Sequence, residues 1–322
     1  MARKPKLIAT RKLPDAVEAR MAELFDAELN GDDVPFGQDK LEKAFACAQV
    51  IVPTVSDDVN ADVIGAAGPG LKLLANFGVG VNHIDLKAAK AKGIAVTNTP
   101  DVLTEDTADL AMALILMAAR RLGEGERNLR GGGWDGWAPT QHLGQRINNQ
   151  KLGIIGMGRI GSALARRARG FCMEVHYFNR NRLDVELETE LGATFWGGLD
   201  AMIGAVDILS INCPLTPETR HMVSAERLAL MPSHGILVNA SRGGIVDEVA
   251  LADVLSRGAI AGAGLDVFEG EPTVNPAFLA LENVVVLPHL GSATLAGRVA
   301  MGMRALANAE AFFAGEQPPD PV

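Results

Sequence analysis

Short apolar runs alternate with longer amphipathic stretches along most of this chain. In the first hundred residues the apolar runs are Leu7–Ala9, Val50–Val52, Leu73–Ala75 and Ile94–Val96. Runs of this length are typical of buried strands, and the stretches between them have the spacing of helices that are apolar on one face. Strands that alternate with helices predict a parallel sheet and therefore an α/β fold.

The alternation continues in the second half of the chain, where further apolar runs predict about six strands, the number expected of a dinucleotide-binding sheet. We therefore predict an α/β protein with two Rossmann-like domains, each a doubly wound parallel sheet. The runs of the second half are Leu152–Ile155, Glu174–Phe178, Ile208–Ile211, Ile236–Val238, Ala261–Leu265 and Val284–Leu287.

Two of the predicted helices have compositions that indicate where they pack. Thr104 is an expected N-cap, and the stretch 105–121 after it is apolar nearly all round. We expect this helix to be buried between domains or between subunits. The tail 294–313, rich in Ala and Met, predicts a helix that packs back on the first α/β unit.

A glycine-rich turn joins the strand 152–155 to the helix that follows it. Gly156, Gly158 and Gly161 form a GxGxxG pattern, and a preceding strand with a following helix is the context that indicates dinucleotide binding. Without Cβ atoms, Gly156 and Gly158 let the backbone approach a pyrophosphate, and the helix N-terminus offers free N–H groups. Gly161 lets the helix pack closely on the strand. The alternative is a glycine-rich turn in an α/β protein of another kind.

Bulk composition narrows the classes of function. The 322 residues carry a net charge of −9, which argues against a nucleic-acid surface. Cys47, Cys172 and Cys213 lack metal-ligand spacing, so we predict no metal site, no disulfide framework and a reducing compartment. No signal-peptide pattern is found, and the longest apolar run, 110–119, is too short to span a bilayer. We expect a cytoplasmic protein without a membrane or nucleic-acid partner.

Polar residues follow the predicted strands of the second half, at the edge where open parallel sheets bind ligands. Arg242, Glu271 and His289 come after the last three of these strands. A guanidinium matches a carboxylate bidentately and stabilises negative charge on a carbonyl oxygen, and an imidazole beside a carboxylate is a suitable proton donor. With a nicotinamide bound, the set predicts hydride transfer to a 2-keto acid. The alternatives are a surface ion-pair arginine and a satisfied loop histidine.

Two glycine-containing loops are further candidates for ligand contact. Gly78 and Gly80 directly follow a predicted strand, which indicates either close approach of the backbone to a ligand or a plain strand-to-helix turn. Trp134 and Trp137 lie in a Gly-rich loop, which indicates contact with a ligand, a partner subunit or the other domain. Local capping of the core is the alternative for the tryptophans.

Six segments carry a set of motifs, namely 76–85, 97–104, 153–161, 239–247, 262–272 and 287–292. Through them the sequence resembles, over essentially its full length, the D-isomer-specific 2-hydroxyacid dehydrogenases. The resemblance implies that Arg242, Glu271 and His289 are the catalytic residues. It also implies that a substrate carboxylate lies near Arg242 and the backbone of Val79 and Gly80.

The resemblance further implies the domain organisation and the cofactor contacts. It implies a discontinuous substrate domain, 1–99 plus 290–322, with a dinucleotide-binding domain, 100–289, inserted between its parts. It implies a homodimer joined through the cofactor domain, with the long helix from Thr104 and the tryptophan loop near the interface. Members of the glyoxylate/hydroxypyruvate reductase branch place an aromatic ring of the partner subunit over the small substrate, and Trp137 is the residue predicted for that role here. The positions assigned to the cofactor are Thr104, Gly156, Gly158, Arg159, Ile160, Gly161, Asn179, Arg180, Asn181, Arg182, Cys213, Pro214, Thr219, Ala240, Ser241, Asp266 and Gly291.

The end of the second strand of the cofactor domain indicates which nucleotide is bound. NAD-preferring relatives carry an acid there that binds the ribose hydroxyls, whereas this chain has Asn179 followed by Arg180. Asn179 does not repel a 2′-phosphate and Arg180 can pair with it, so we predict a preference for NADP(H). The alternative is that NAD(H) is used as well. The pattern resembles the glyoxylate/hydroxypyruvate reductase branch of the family.

We therefore expect NADPH-dependent reduction of glyoxylate or hydroxypyruvate to the D-2-hydroxy acid, with His289 as acid/base. A broad-range reductase of bulkier 2-keto acids such as phenylpyruvate is the alternative, because pocket width depends on the loops around Val55 and Trp137. A dinucleotide-sensing corepressor is the alternative of another class, and it would need a peptide-binding groove and long tails that the sequence does not predict. Formate dehydrogenases lack the acid partner of the histidine, so Glu271 argues against them.

Overall fold

The computed structural model describes residues 4–322, which form two compact units. One unit consists of the residues up to Leu103 together with Ala293–Val322, and the other is Thr104–Ser292. The first unit is therefore built from two separate parts of the sequence. The assignment of substrate and cofactor roles to these units stays a prediction.

The first unit contains a five-stranded parallel sheet whose strands are, in order across the sheet, β2 (Asp26–Glu28), β1 (Lys6–Ala9), β3 (Val50–Val52), β4 (Leu73–Ala75) and β5 (Ala95–Thr97). Apolar side chains such as Phe45, Ile51 and Leu74 form its core. The sequence predicted four of the strands and not β2, because this edge strand, Asp26–Glu28, contains no apolar run. The elements of this unit, apart from its last helix, are β1 (Lys6–Ala9), α1 (Asp15–Leu24), β2 (Asp26–Glu28), α2 (Gln38–Cys47), β3 (Val50–Val52), α3 (Ala61–Gly65), β4 (Leu73–Ala75), α4 (Leu86–Ala91) and β5 (Ala95–Thr97).

The second unit contains a seven-stranded parallel sheet whose strands are, in order across the sheet, β12 (Val284–Val286), β11 (Gly262–Leu265), β10 (Ile236–Asn239), β9 (Ile208–Ile211), β6 (Lys151–Ile155), β7 (Glu174–Phe178) and β8 (Ala193–Phe195). The direction of the order reverses at β6, so a ligand-binding crevice is expected at its carboxyl end. The expected number of six strands was wrong, because Ala193–Phe195 adds a short edge strand whose residues are largely half-exposed. The elements are α5 (Thr104–Ala119), α6 (Leu122–Arg130), β6 (Lys151–Ile155), α7 (Arg159–Gly170), β7 (Glu174–Phe178), α8 (Val185–Leu191), β8 (Ala193–Phe195), α9 (Leu199–Ile203), β9 (Ile208–Ile211), α10 (Ala225–Leu228), β10 (Ile236–Asn239), α11 (Glu248–Ser256), β11 (Gly262–Leu265), α12 (Pro276–Ala280) and β12 (Val284–Val286).

The last helix, α13 (Leu295–Phe313), belongs to the first unit, as the sequence predicted. Thr294 caps it by accepting a hydrogen bond from the Gly297 N–H at 2.8 Å. The helix packs on α1 and β4. Close packing requires glycine at position 302, because a Cβ there would lie 2.4 Å from Val17 Cγ1.

Helix α5 buries one side within the second unit. It packs on α7 and on strands β10, β11 and β12, and Leu114 lies against the backbone of Gly264. The further expectation that this helix lies between domains or between subunits stays a prediction. Thr104 is its first helical residue. Within residues 4–322, none of the helices has the length and apolar character that crossing a membrane requires.

Candidate active site

Each glycine of the GxGxxG turn has a distinct structural role. Gly156 has φ 95°, and a Cβ there would lie 2.6 Å from the backbone nitrogen of Cys213. A Cβ on Gly161 would lie 2.3 Å from the carbonyl oxygen of Gly156, so the helix packs tightly on the strand as predicted. Gly158, the N-cap of α7, faces open space. Gly156 is thus required by the neighbouring β9 loop, and it is Gly158 that leaves room for a ligand beside the first N–H groups of α7.

The residues after β7 separate into two groups. Asn179 Oδ1 accepts a hydrogen bond from the Met157 N–H at 2.7 Å, which assigns the acceptor end of the amide to the glycine turn and leaves Nδ2 as the donor end. Arg182 forks onto Glu188 through its Nε and Nη2, at 2.8 and 2.7 Å. Within residues 4–322, the exposed Arg180 has no carboxylate within 4.0 Å. Of the two arginines after β7 that are predicted to contact the cofactor, Arg182 is thus held by an acid of its own domain, whereas Arg180 is not.

The contact of Arg182 belongs to a hydrogen-bonded group inside the domain. Hydrogen bonds from Arg182 and then from Tyr177 lower the pKa of Glu188 to about 2. Burial and the hydrogen bond to Glu188 raise the pKa of Tyr177 to about 12. The Tyr177 hydroxyl also accepts the N–H of Leu183 at 3.0 Å. The carboxylate, the phenol and the guanidinium therefore form a structural brace for the chain after β7.

Glu271 and His289 form a hydrogen-bonded pair. His289 Nδ1 lies 2.7 Å from Glu271 Oε2, and the other carboxylate oxygen accepts the Phe268 N–H at 2.9 Å. Burial would raise the pKa of Glu271, but the hydrogen bond and charge of His289, with the Phe268 N–H and the charge of Arg242, hold it below its ordinary value. A carboxylate at Nδ1 selects the tautomer with hydrogen there, so Nε2 is the nitrogen available to a substrate. His289 has φ 55°, a backbone conformation that is uncommon for a non-glycine residue and often found at functional sites.

Asp266 holds the turn that carries this histidine. It is fully buried, and its two carboxylate oxygens accept the N–H groups of Leu290 at 2.7 Å and Gly291 at 2.8 Å. Its own carbonyl accepts the His289 N–H at 2.9 Å. Burial raises the pKa of this carboxyl. The structure thus gives Asp266 a role in shaping the turn, and the predicted contact of Asp266 with the nicotinamide stays a prediction.

Arg242 lies on a turn after β10 that Asn239 fixes. The buried Asn239 amide donates to the Arg242 carbonyl at 2.9 Å and accepts the Ser241 N–H at 3.1 Å. A Cβ on Gly243 would meet the backbone of Phe268, so this turn packs against the segment that leads to Glu271. Burial lowers the pKa of Arg242 while the charge of Glu271 opposes the shift. A guanidinium nevertheless stays protonated in proteins.

Asn239 orders the turn that carries Arg242, a role that the sequence did not predict. The sequence nevertheless contains an indication, because an amide ends an otherwise apolar strand directly before Ala240, Ser241 and Arg242. A polar residue buried at a strand end needs hydrogen-bond partners, which here are backbone groups of the next turn.

The loop after β9 borders the glycine turn. The Ser241 hydroxyl donates to the Cys213 carbonyl. Thr219 Oγ1 donates to the Pro214 carbonyl at 2.7 Å and accepts the Thr216 N–H at 2.8 Å. Burial raises the pKa of the Cys213 thiol to about 11, so the thiol stays protonated near neutral pH. Side chains of this loop order the loop itself, and its predicted contact with the cofactor stays a prediction.

The remaining predicted positions lie elsewhere. Val79 and Gly80 belong to the first unit, and Trp137 lies on the loop between α6 and β6. Trp134 is 53% and Trp137 82% exposed, so these rings do not cap the core of the second unit. Residues 4–322 contain no cluster of three His, Cys, Asp or Glu side chains that could hold a metal ion.

The second unit offers suitable groups for a dinucleotide at one edge of its sheet. Gly158 leaves open space at the N-terminus of α7, and Asn179 presents an amide donor at the end of the next strand. The segments carrying Arg242, Glu271 and His289 follow β10, β11 and β12, which are parallel to β6. These donors and the uncovered glycine fit a nicotinamide dinucleotide.

Comparison with known proteins gives consistent matches. The family model described as D-isomer specific 2-hydroxyacid dehydrogenase, NAD binding domain, matches residues 112–291. A glyoxylate reductase from Thermococcus onnurineus is 43% identical over 320 residues, which is 98% of this chain and 95% of that protein. A glycerate dehydrogenase from Hyphomicrobium methylovorum is 38% identical over 312 residues, 97% of each chain.

A solved structure with bound ligands is also similar. It is the NADPH-dependent glyoxylate/hydroxypyruvate reductase from Sinorhizobium meliloti in complex with NADP and malonate. The TM-score is 0.88 at 36% sequence identity, and the match covers 99% of this chain and 97% of the other. The similarity therefore extends over both units of the present structure.

Proposed function

Because this chain belongs to the D-isomer specific 2-hydroxyacid dehydrogenase family and is an NAD(P)-dependent oxidoreductase, we propose that it reduces a small 2-keto acid to the D-2-hydroxy acid with NADPH. The observation that carries the proposal is the Glu271–His289 pair, 2.7 Å apart, on the segments that follow neighbouring strands of the sheet with the glycine turn. We propose glyoxylate or hydroxypyruvate as substrate, since relatives with these activities match almost the whole chain.

In the proposed mechanism each side chain has a distinct task. A bound reduced nicotinamide supplies the hydride. Arg242 binds the substrate and stabilises the negative charge that develops on the carbonyl oxygen. Protonated on both ring nitrogens, His289 donates its Nε2 proton to that oxygen and becomes the neutral imidazole, while Glu271 holds the ring through Nδ1. Asn239 and Asp266 position the two turns that carry Arg242 and His289.

The direct test is a panel of 2-keto acids with both cofactors. We expect the fastest oxidation of NADPH with glyoxylate or hydroxypyruvate, followed by absorbance at the reduced nicotinamide band, and a D-configured product where the product is chiral. A higher kcat/KM with phenylpyruvate would instead identify a broad-range reductase. Dinucleotide binding without turnover of any acid in the panel would support the sensor alternative.

We propose that the preference for NADPH depends on Asn179 and Arg180 rather than on Arg182. A 2′-phosphate accepts hydrogen bonds, which suits the Asn179 Nδ2 donor and an arginine that no acid binds. Arg180→Ala should raise KM for NADPH by about tenfold or more, since a hydrogen bond to a charged group is lost, and leave KM for NADH nearly unchanged. Equal effects on both cofactors would contradict this assignment.

Arg182→Ala is the matched control for this prediction. Because Arg182 is bound to Glu188, its removal should mainly lower the melting temperature by weakening the brace with Tyr177, and change the NADPH to NADH ratio little. A larger loss of NADPH preference in Arg182→Ala than in Arg180→Ala would reassign the phosphate contact.

We also propose that the protein is a cytoplasmic homodimer joined through its second unit. Support comes from exposed large apolar side chains that follow one another on and after α6, among them Leu129, Trp134, Trp137 and Leu143, since exposed apolar surface marks association sites. Sedimentation velocity should give twice the chain mass of 33.9 kDa, and a monomer at micromolar concentration would exclude the dimer.

A further inference from the structure

The loop of residues 76–83, termed the substrate loop, follows β4 and contains both backbone positions predicted to bind the substrate carboxylate. Asn76 is fully buried, and its Nδ2 donates to the carbonyl oxygens of Gly78 at 2.9 Å and Gly80 at 3.1 Å. Its Oδ1 lies 3.1 Å from His83 Nε2, which fixes the orientation of the amide. A single side chain thus holds two carbonyls of the loop.

Asn98, directly after β5, holds the carbonyl between those two. Its Nδ2 donates to the Val79 carbonyl at 2.9 Å. A trans peptide unit is planar, so its carbonyl and the following N–H point in opposite directions. The N–H groups of Val79 and Val81 therefore point away from Asn76, and the N–H group of Gly80 points away from Asn98.

These three N–H groups have no hydrogen-bond acceptor within residues 4–322. Val79, Gly80 and Val81 are half-buried rather than fully solvated. Consecutive N–H groups without internal acceptors form a set of donors that suits an anion such as a carboxylate. The asparagines thus create the donor set without themselves supplying a donor to the ligand.

The C-terminal segment fixes Asn98 in turn. The Asn98 N–H donates to the Asp320 carbonyl at 3.2 Å, and the Asn98 carbonyl accepts from Asn308 Nδ2 at 3.1 Å. The buried Asp320 carboxylate accepts from Arg304 Nε at 2.6 Å and Nη2 at 2.7 Å, and from Asn308 Nδ2 at 3.0 Å. A continuous set of hydrogen bonds thus joins α13, the C-terminal segment, Asn98 and the substrate loop.

We propose that Asn76 and Asn98 are positioning residues for the substrate carboxylate, and that Asp320 acts through Asn98. The C-terminal segment 320–322 is then part of substrate recognition, although it supplies no group to the ligand. This inference rests on the proposed function, because it concerns how the same 2-keto acid is held.

The substitution Asn98→Ala tests the proposal. It removes the side-chain bond to Val79 and leaves both backbone bonds of Asn98 in place, so the fold is retained. We expect KM for the 2-keto acid to rise about tenfold, which corresponds to one lost hydrogen bond, with kcat within about twofold. The KM for NADPH should not change. The dissociation constant of oxamate, measured by fluorescence with NADPH bound, should rise by the same factor as KM.

Asn283→Ala is the matched control. Asn283 is also half-buried, and its side chain also donates one hydrogen bond to a backbone carbonyl, that of Leu255 at 3.2 Å. It belongs to the second unit and precedes β12, so it lies at the edge of that sheet opposite to the candidate active site. Both variants should lose similar thermal stability, and only Asn98→Ala should change KM and oxamate binding. An unchanged KM and an unchanged dissociation constant of oxamate in Asn98→Ala would overturn the positioning role. The proposed function would still hold in that case if the wild type reduces the 2-keto acid.

A failure of the proposed function would be seen separately, as a wild type that reduces no 2-keto acid. Oxamate binding then still decides the positioning role, because it requires no turnover. If the wild type binds no oxamate either, both proposals are overturned.

The role of Asp320 is tested by a double-mutant cycle. Asp320→Ala should raise KM for the 2-keto acid by a smaller factor than Asn98→Ala, and the double variant should match Asn98→Ala alone, because Asp320 acts through that side chain. Additive effects would overturn the proposed route. Should Asp320→Ala fail to fold, Asp320→Asn retains a carbonyl acceptor for Arg304 and serves in the same cycle.

Discussion

His289→Gln is expected to lower kcat for reduction of the 2-keto acid by about a thousandfold, the range of a general acid–base contribution. Glutamine keeps a polar side chain of similar reach, so NADPH binding should be retained while the proton donor is lost. The measurement is kcat from steady-state assays together with the dissociation constant of NADPH from fluorescence titration. A turnover close to that of the wild type would remove His289 as the acid.

The chain contains a matched control for this substitution. His234 Nε2 lies 2.7 Å from Asp207 Oδ1, the same separation as in the Glu271–His289 pair, but both residues precede their strands and so lie at the opposite edge of the sheet. His234→Gln should leave kcat within about twofold of the wild type, since it removes a surface histidine–carboxylate contact of small energy. A comparable loss in both variants would indicate a structural effect rather than a chemical one.

Arg242→Lys is expected to lower kcat/KM for the 2-keto acid by about a hundredfold or more, with KM for NADPH nearly unchanged. An ammonium keeps the charge but cannot form the bidentate fork on a carboxylate, and removal of one donor at a developing oxyanion has an effect of about this size. The turn itself should persist, because the side-chain amide of Asn239 binds the main-chain carbonyl of position 242, which the substitution does not change.

Arg227→Lys provides the comparison for this variant. Arg227 also donates from its guanidinium to a carboxylate, Asp200 Oδ1 at 2.7 Å, and to the Met222 carbonyl at 2.7 Å, at the surface of the same unit. This variant should retain wild-type kcat/KM. A normal kcat/KM in Arg242→Lys would refute the substrate-binding role of the fork.

Local patterns predicted most of the elements that carry these groups. The apolar runs identified β1, β3, β4 and β5 and six of the seven strands of the second sheet, because strands buried on both faces are continuously apolar. The two strands that were missed, β2 and β8, are short edge strands with few apolar residues. Pattern arguments fail there because an edge strand is specified by its neighbour's hydrogen bonds and not by its own burial.

Side-chain partners were the part that local patterns could not predict. Arg182 and Asp266 were both predicted to contact the cofactor, and these contacts stay predictions. The sequence did not indicate that Arg182 forks onto Glu188 or that Asp266 accepts backbone N–H groups of the His289 turn. Which partner a charged group takes depends on what the fold brings within about 3 Å.

The sequence by itself determined the strands, the glycines of the dinucleotide turn and the identity of Arg242, Glu271 and His289 as one candidate set, since periodicity, backbone freedom and residue chemistry are properties of local stretches. Only the tertiary structure decided that α5 is buried against its own sheet, that Asn239 and Asp266 hold the two turns, and that Asp320 reaches Val79 through Asn98. The physical reason is that a buried polar group must find its hydrogen-bond partner wherever the chain places one, and these partners are often far away in sequence.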